Sequence, residues 1–386
     1  MKKKFSRGYY QKNTGYIRRK ISKRNMHGLQ TSGSVEDEIW VLLEYYSEIE
    51  ESGIKLLETN GISDKRKHKR VFKEFQAYIR QAKGYYYSAR NLPTRSSALL
   101  YYYCFLNLAK ALIVTKNPSA LDNKKIPHGL TYKYHPEVDL SKHTILTKNR
   151  GVFPHFYKII NETSLEDNNL NIQTLLSYCS DISYQCQLAS IHEQKTLTGK
   201  FVSVVHGGQK KAWGILAIHN GAILNKYPSS FQEVFDKYEI IEIPQQNYRE
   251  FFNIDAQQQN SYLFLQEKEK HEFLMEKYVP EHEIRSKVIQ TFNNHLQVNY
   301  FDNDFDYIVS LPYKARKQIP MNEVTAIYII TYYFSNLVRY HPAFLEKLLS
   351  KKEAWLIDSF LKSSTTTFLR MIASRIANQE YIIGSR

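Results

Sequence analysis

The stretch Ser96 to Val114, SSALLYYYCFLNLAKALIV, constrains the fold more than any other. Wound at about 100° per residue it is apolar on nearly every side, the pattern of a helix buried all round rather than laid on a surface. Such a helix needs neighbours on each face, so the chain must build a helical core around it. Two polar residues interrupt it, Asn107 and Lys110. Spaced three apart, they share one side of the helix with Tyr103, one turn earlier. A buried ammonium is costly without a partner, so Lys110 either meets an anion or carboxylate or reaches past its own stem to water. Tyr103, Asn107 and Lys110 are therefore candidate phosphate-binding residues.

The period of the pattern changes along the chain. Ser34-Val35-Glu36-Asp37 resembles a capping box and predicts a helix running to about Leu57, stopped by Asn60-Gly61. A second helix is expected from Arg70 to Ala89, with Phe72, Phe75, Ile79 and Tyr86 as its inner stripe. Asn117-Pro118 ends the central helix, and a loop-rich passage through His128-Gly129-Leu130 and Gly151-Val152-Phe153-Pro154 follows. Helical spacing returns at Leu170 to Ser190. Alternation then predicts strands at Lys200 to His206 and Ala212 to His219, joined across Gly207-Gly208, with Asn220-Gly221 turning into a third at Ala222 to Asn225. Further extended stretches lie at Glu239 to Ile243, Ser261 to Gln266, Glu283 to Thr291, Gln297 to Phe301 and Phe305 to Leu311, with Ser230 to Lys237 as an inserted helix. From Pro320 the chain is helical again. Met321 to Tyr340 is almost wholly apolar, and later helices are expected at Lys352 to Leu361 and Thr366 to Ala377.

The expected architecture is α+β. Residues 1–33 form a basic, disordered tail and linker, 34–195 a helical region, 196–311 a mostly antiparallel sheet, and 312–386 a helical region packing back on 34–195. The two most apolar helices, Ser96 to Val114 and Met321 to Tyr340, are expected to pack together.

Charge is unevenly spread. The chain carries a net charge of +15 over 386 residues, and Met1 to His27 alone holds ten basic residues and no acidic one. Arg18, Arg19, Lys20, Lys23 and Arg24 lie in this arm, interleaved with Tyr9, Tyr10 and Tyr16. Such a segment suits a polyanion, nucleic acid first and an anionic membrane second. A second basic cluster, Lys65 to Arg70, offers Lys67 and Arg70 as further electrostatic contacts. The 30 tyrosines come partly in runs, which places some rings on the surface, where they can stack on bases.

Several chemistries are excluded. The three cysteines make neither a zinc-type cluster nor an even disulfide framework, which fits a reduced, cytosolic protein. The N-terminus has no apolar signal region, and no apolar run reaches the length of a membrane span. There is no Gly-rich phosphate loop, His-Glu-x-x-His, Cys-x-x-Cys or Gly-x-Ser-x-Gly motif, so no metal or cofactor is implied.

Arg339-Tyr340-His341-Pro342 remains, at the C-terminal end of the second apolar helix. Pro342 pushes His341 out of helical geometry, so its ring and the Arg339 guanidinium are expected to converge beyond the helix end. Arg there can bind a phosphate while His exchanges protons near neutral pH. Both also suit a helix C-terminus for purely structural reasons. His128, in the turn after the central helix, is a third candidate catalytic residue.

Four landmarks occur in order: LLYYYCFLNLAKAL within Ser96 to Lys110 and beyond, His128-Gly129-Leu130, GVFP at Gly151 to Pro154, and LVRYHP at Leu337 to Pro342. Together they resemble the YaaC-like family over roughly Glu38 to Leu361. That resemblance implies a relationship rather than an activity. The central helix followed by a His-Gly turn is also similar to HEPN proteins, helical bundles found in RNA-cleaving toxins and defence systems. That likeness implies metal-independent cleavage across a homodimer, by an Arg and a His a few residues apart. Here the literal match, Arg150 to His155, is interrupted by Gly151 and Pro154, while Arg339 and His341 are spaced more closely than the motif. The expectation drawn is a nucleic-acid-associated protein of a defence or stress system. A ribonuclease using Arg339 and His341, with His128 and Lys110 around the phosphate, is the alternative, and a scaffold for a protein partner is the third.

Overall fold

The switch in hydrophobic period separates two units. In the computed structural model one comprises residues 27–194 and 321–383, the other residues 1–26, 195–320 and 384–386. The structure describes residues 3–4, 15–18, 26–29, 33–122, 126–161, 163–165, 169–189, 196–206, 211–219, 236–243, 252, 254, 261–272, 288, 297–300, 306–310, 321–351 and 353–383. Among these residues the fold is α+β, its strands paired almost wholly antiparallel.

The first helices are α1 (Val35–Glu48) and α2 (Glu50–Thr59). Ser34 caps α1, its hydroxyl accepting from the Asp37 amide at 3.3 Å. A single helix to Leu57 was expected, but Ile49 is extended (φ −97°, ψ 105°) and splits it. Glu50 and Glu51 favour a new N-terminus there, where carboxylates meet the positive end of the helix dipole. Helix α3 (Lys65–Arg90) starts a full turn earlier than its apolar stripe suggests, because Asp64 caps it and accepts from the Arg66 amide at 3.1 Å.

Helix α4 (Thr94–Lys116) contains the Ser96 to Val114 stretch and is enclosed as its pattern requires. Leu108, Leu112, Ile113 and Val114 are completely buried. Each such side chain contributes about 1.5–3 kcal/mol of transfer free energy. Helix α4 is long and apolar enough to cross a membrane by length and composition, yet 78% of its apolar window is covered inside the fold. Its cover comes from α3 and from later elements: α5 (Val152–Asn161), α8 (Glu323–Tyr340) and α10 (Glu353–Ala377). Phe105 of α4 stacks on Phe368 of α10 with ring centroids 3.9 Å apart.

β4 (Leu130–Lys133) and β5 (Thr144–Thr147), between α4 and α5, form a small antiparallel sheet with β6 (Asn169–Asn171), which follows α5. The GVFP stretch is not a loop but the start of α5, since Pro154 in the first turn lacks an N–H that the helix does not need. Leu170 to Ser190 is not one helix. It breaks into β6, the short α6 (Ile172–Leu176), a tight turn at Ser180–Ile182, and α7 (Ser183–Leu188). After α8 comes α9 (Pro342–Leu349), then α10, which is continuous where two helices were expected. Its Ser/Thr run stays helical because the hydroxyls of Ser363, Thr365 and Ser374 donate to carbonyls one turn back.

In the other unit, β7 (Thr196–His206) and β8 (Lys211–His219) pair from Gly199↔Ile218 to His206↔Lys211. Strand β8 lies between β7 and β10 (Tyr262–Glu267), β10 also pairs with β9 (Tyr238–Glu242), and the short β11 (His271–Glu272) pairs with β8. Strands β12 (Gln297–Tyr300) and β13 (Asp306–Ser310) extend the β7 side. Val204, Ile215, Ala217 and Phe264 form its core with Trp213, whose indole donates to Gln266 at 3.2 Å. The expected third strand at Ala222 to Asn225 and the Gly207-Gly208 turn lie outside the described residues, as do all but the end of the Ser230 to Lys237 helix and all but Val288 of Glu283 to Thr291.

Within residues 1–33 three short strands are described: β1 (Lys3–Lys4), β2 (Gly15–Arg18) and β3 (Met26–Leu29). β2 pairs antiparallel with β7, β1 pairs parallel with β9, and β3 pairs with the final strand, β14 (Glu380–Ile383). Tyr16 and Ile17 are good strand formers, and that preference outweighs the charge of their neighbours.

Candidate functional site

The C-terminal end of α8, the middle of α4 and the turn before β4 converge within the helical unit. Tyr103, Asn107 and Lys110 share one side of α4, and the Asn107 amide donates to the Tyr103 carbonyl at 2.8 Å. Helix α3 runs antiparallel alongside and matches this side with Tyr78 and Tyr85, seven residues apart. Tyr85 stacks on Tyr103 at 5.3 Å, and the Lys110 ammonium lies 5.6 Å from the centre of the Tyr78 ring. Lys110 is half-buried, and burial lowers its pKa below that of an ordinary lysine.

Arg339 reaches this side from α8. Its guanidinium lies 5.3 Å from the centre of the Tyr103 ring and 5.4 Å from that of Tyr340, and donates to the hydroxyls of both. His128 completes the group. One of its ring nitrogens, Nδ1, shares a 2.7 Å hydrogen bond with the Tyr102 hydroxyl, while Nε2 has no hydrogen-bond partner among the described residues. Burial lowers the His128 pKa first, and the nearby charges of Lys110 and Arg339 lower it further. The imidazole is therefore neutral at pH 7.

Two glycines hold that turn in place. Gly151 (φ +130°) brings its backbone against Gly129 (φ +80°), so closely that a Cβ on Gly151 would sit 2.5 Å from the Gly129 nitrogen. The amides of Val152 and Phe153, at the start of α5, donate to the carbonyls of Pro127 and His128 at 2.9 and 3.0 Å.

His341 does not join Arg339 and His128. Its ring stacks on Tyr134 at 4.3 Å and meets Tyr132 edge-on at 5.8 Å. His341 caps α8 with φ −137°, as Pro342 demands, and this turns it away from the guanidinium toward the β4 side. The predicted group thus divides: Tyr103, Asn107, Lys110, His128 and Arg339 come together, and His341 faces a separate aromatic cluster.

The other basic candidates are differently placed. Lys67 lies 3.7 Å from Asp64, and Arg70 pairs with Asp122 at 3.2 Å and with Glu74 at 3.9 Å. Elsewhere on α3, Arg80 pairs with Glu48, Lys83 with Glu44 and Arg90 with Asp37. By contrast, neither Lys110 nor Arg339 has a carboxylate within 4 Å among the described residues. Arg18 is in a described strand, whereas Arg19, Lys20, Lys23 and Arg24 lie outside the described residues.

Sequence reasoning missed Tyr78, Tyr85, Tyr102 and Tyr134. The seven-residue spacing of Tyr78 and Tyr85 was the available signal. It also missed a buried ionic group where α8 begins. Glu323, completely enclosed, accepts from the Ser180 amide at 2.6 Å and from its hydroxyl at 2.7 Å. Burial first and neighbouring Asp181 second raise its pKa to about 7, while Ser180 and Arg370 oppose them. Burial likewise raises Asp181, whose Oδ2 is enclosed without a hydrogen-bond partner among the described residues, against a Thr367 hydrogen bond and the Arg370 charge. Among the described residues there is no cluster of His, Cys, Asp and Glu that could hold a metal.

The YaaC-like Protein family matches residues 50–376 of the chain, which include every residue of the convergent group. No curated protein and no solved structure matches it.

Proposed function

The chain belongs to the YaaC-like family, and we propose that it binds nucleic acid, with Tyr103, Lys110, His128 and Arg339 as a phosphate contact in its helical unit. The observation that carries this reading is the contrast among cations. Arg70, Arg80, Lys83 and Arg90 of α3 are matched by carboxylates, whereas Lys110 and Arg339, both close enough to His128 to lower its pKa, have none among the described residues. Like charges held together in a half-buried place repel unless an anion joins them, and a phosphodiester supplies that anion with hydrogen-bond acceptors. The excess positive charge of the chain steers such a polyanion toward it.

Fluorescence anisotropy with a labelled RNA and a labelled DNA of equal length, from low to high salt, tests the reading. Affinity falls as salt rises, and replacing Lys110 and Arg339 by Met lowers the slope of log K against log salt by about 0.7 for each single-strand phosphate that is no longer neutralised. Absence of binding at low salt, or a slope unchanged in the double variant, contradicts it.

A second reading, metal-independent cleavage of RNA, draws support from His128 rather than His341. A neutral imidazole whose Nε2 has no hydrogen-bond partner among the described residues, beside two cations, can take a proton from a ribose hydroxyl while the cations hold the phosphate. Cleavage in EDTA that is lost on His128→Ala and kept on His341→Ala supports this reading. Cleavage needing magnesium, or none, removes it.

A further inference from the structure

Two aromatic surfaces flank the C-terminal end of α8, and ordinary packing does not account for their exposure. Tyr340 is 60% exposed, although its ring lies beside the Arg339 guanidinium and its hydroxyl accepts from it. Tyr134 is 45% exposed and stacks on His341, the next residue along from Tyr340. The other members of both groups are held from behind. Tyr103 is backed by Tyr85, His341 by Tyr132, and Tyr132 in turn by the buried Tyr333, while the buried Phe344 meets Tyr134 edge-on. Large rings fixed by their neighbours and left open to solvent lose little conformational entropy when something stacks on them.

We propose that this corner takes single-stranded nucleic acid, with bases stacking on Tyr340 and on the Tyr134–His341 pair while the phosphates run past Arg339 and Lys110. The inference rests on the phosphate-contact reading above and deepens it to a class of strand. A duplex keeps its bases stacked on one another and offers these rings nothing, whereas a single strand exposes a π-face at each nucleotide. Arg339 fits both parts of such a ligand, since a guanidinium between two tyrosines can bind phosphate and face a base at the same time. Charge is complementary, because among the described residues no carboxylate lies within 4 Å of Arg339 or Lys110. Stacking is tolerant of sequence, so binding is broad among bases.

The experiment compares three labelled probes of equal strand length on the full chain: a single-stranded RNA, a duplex of the same sequence, and a strand in which abasic sites replace the bases. The single strand is expected to bind at least about 10-fold more tightly than the other two. Tyr340→Ala and Tyr134→Ala are each expected to weaken only the single strand, by about 5- to 150-fold. Tyr340→Phe and Tyr134→Phe keep the rings and are expected to retain most of the affinity, which separates stacking from loss of fold. Equal binding of the abasic strand overturns stacking and leaves the phosphate contact standing. So does an undiminished affinity in both Ala variants. If none of the probes binds at low salt, the phosphate-contact reading fails and this inference fails with it.

Discussion

Replacing Glu323 by Gln should make the protein more stable at alkaline pH, although the residue is completely buried and hydrogen-bonded. In the folded chain its carboxyl titrates at about 7 instead of 4.5, because it is buried and Asp181 repels its charge. A carboxyl raised in this way binds more protons folded than unfolded, so its contribution to stability is greatest below 4.5 and is lost as pH rises through about 7. With each tenfold change in proton affinity worth about 1.4 kcal/mol, the loss above pH 7 is about 3 kcal/mol. A glutamine side chain cannot ionise. Its carbonyl can still accept from the Ser180 amide and hydroxyl, and its amide can donate toward Asp181 Oδ2, which has no hydrogen-bond partner among the described residues. Arg370 then faces one carboxylate instead of two. The assay is urea unfolding of both proteins between pH 5 and 8.5, read as the difference between variant and wild type. Taking the difference cancels His128 and His143, whose pKa values burial lowers and whose contributions are therefore present above 6.5 and lost on acidification. The difference should be small at pH 5 and grow toward about 3 kcal/mol in favour of the Glu323→Gln variant above pH 7. Parallel curves, or a variant less stable at pH 8, refute the reasoning.

Other substitutions probe the site and its support. Gly151→Ala places a Cβ against the Gly129 backbone at a φ that L residues rarely adopt, and is expected to cost about 2 kcal/mol or more in urea unfolding and to weaken RNA binding by displacing His128; an unchanged midpoint and affinity would show that the turn does not depend on that contact. Phe368→Ala removes the ring stacked on Phe105 in the centre of the helical unit and should cost about 3–5 kcal/mol, checked by chemical denaturation. Cys104 and Cys179 are enclosed, and burial pushes both thiols up, so a thiol reagent at pH 8 should label them only as fast as the unit opens; rapid labelling of the folded protein contradicts that packing.

The sequence made some of this legible for definite reasons. Helix α4 was readable because an all-apolar run with one polar side allows few surroundings, and the shared side of Tyr103, Asn107 and Lys110 follows from helical geometry alone. Arg339 and His128 were named from their residue types and places, but their meeting depends on how α8 packs against α4, which no local pattern encodes. His341 misled because Pro342 announces that the ring leaves the helix without saying toward which side. Similarly, the α1–α2 break was hidden in Ile49-Glu50-Glu51, where a helical period continues across a change in backbone direction. The Asp181–Glu323–Arg370 group was illegible for a different reason: its members lie up to 189 positions apart in the chain and become an ionic group only when buried together. Residues 15–18 were judged by charge, whereas the ladder with β7 follows from the strand preference of Tyr16 and Ile17.

Where nucleic acid touches the chain is the most direct question. Irradiating the full protein with a 4-thiouridine-substituted single-stranded RNA and mapping the cross-linked peptides by mass spectrometry answers it. The account predicts cross-links on peptides carrying Tyr103, Tyr134 and Tyr340, abolished when Lys110 and Arg339 are replaced by Met. Cross-links confined to residues 1–27, unchanged in that double variant, would contradict it and place binding in the basic arm alone.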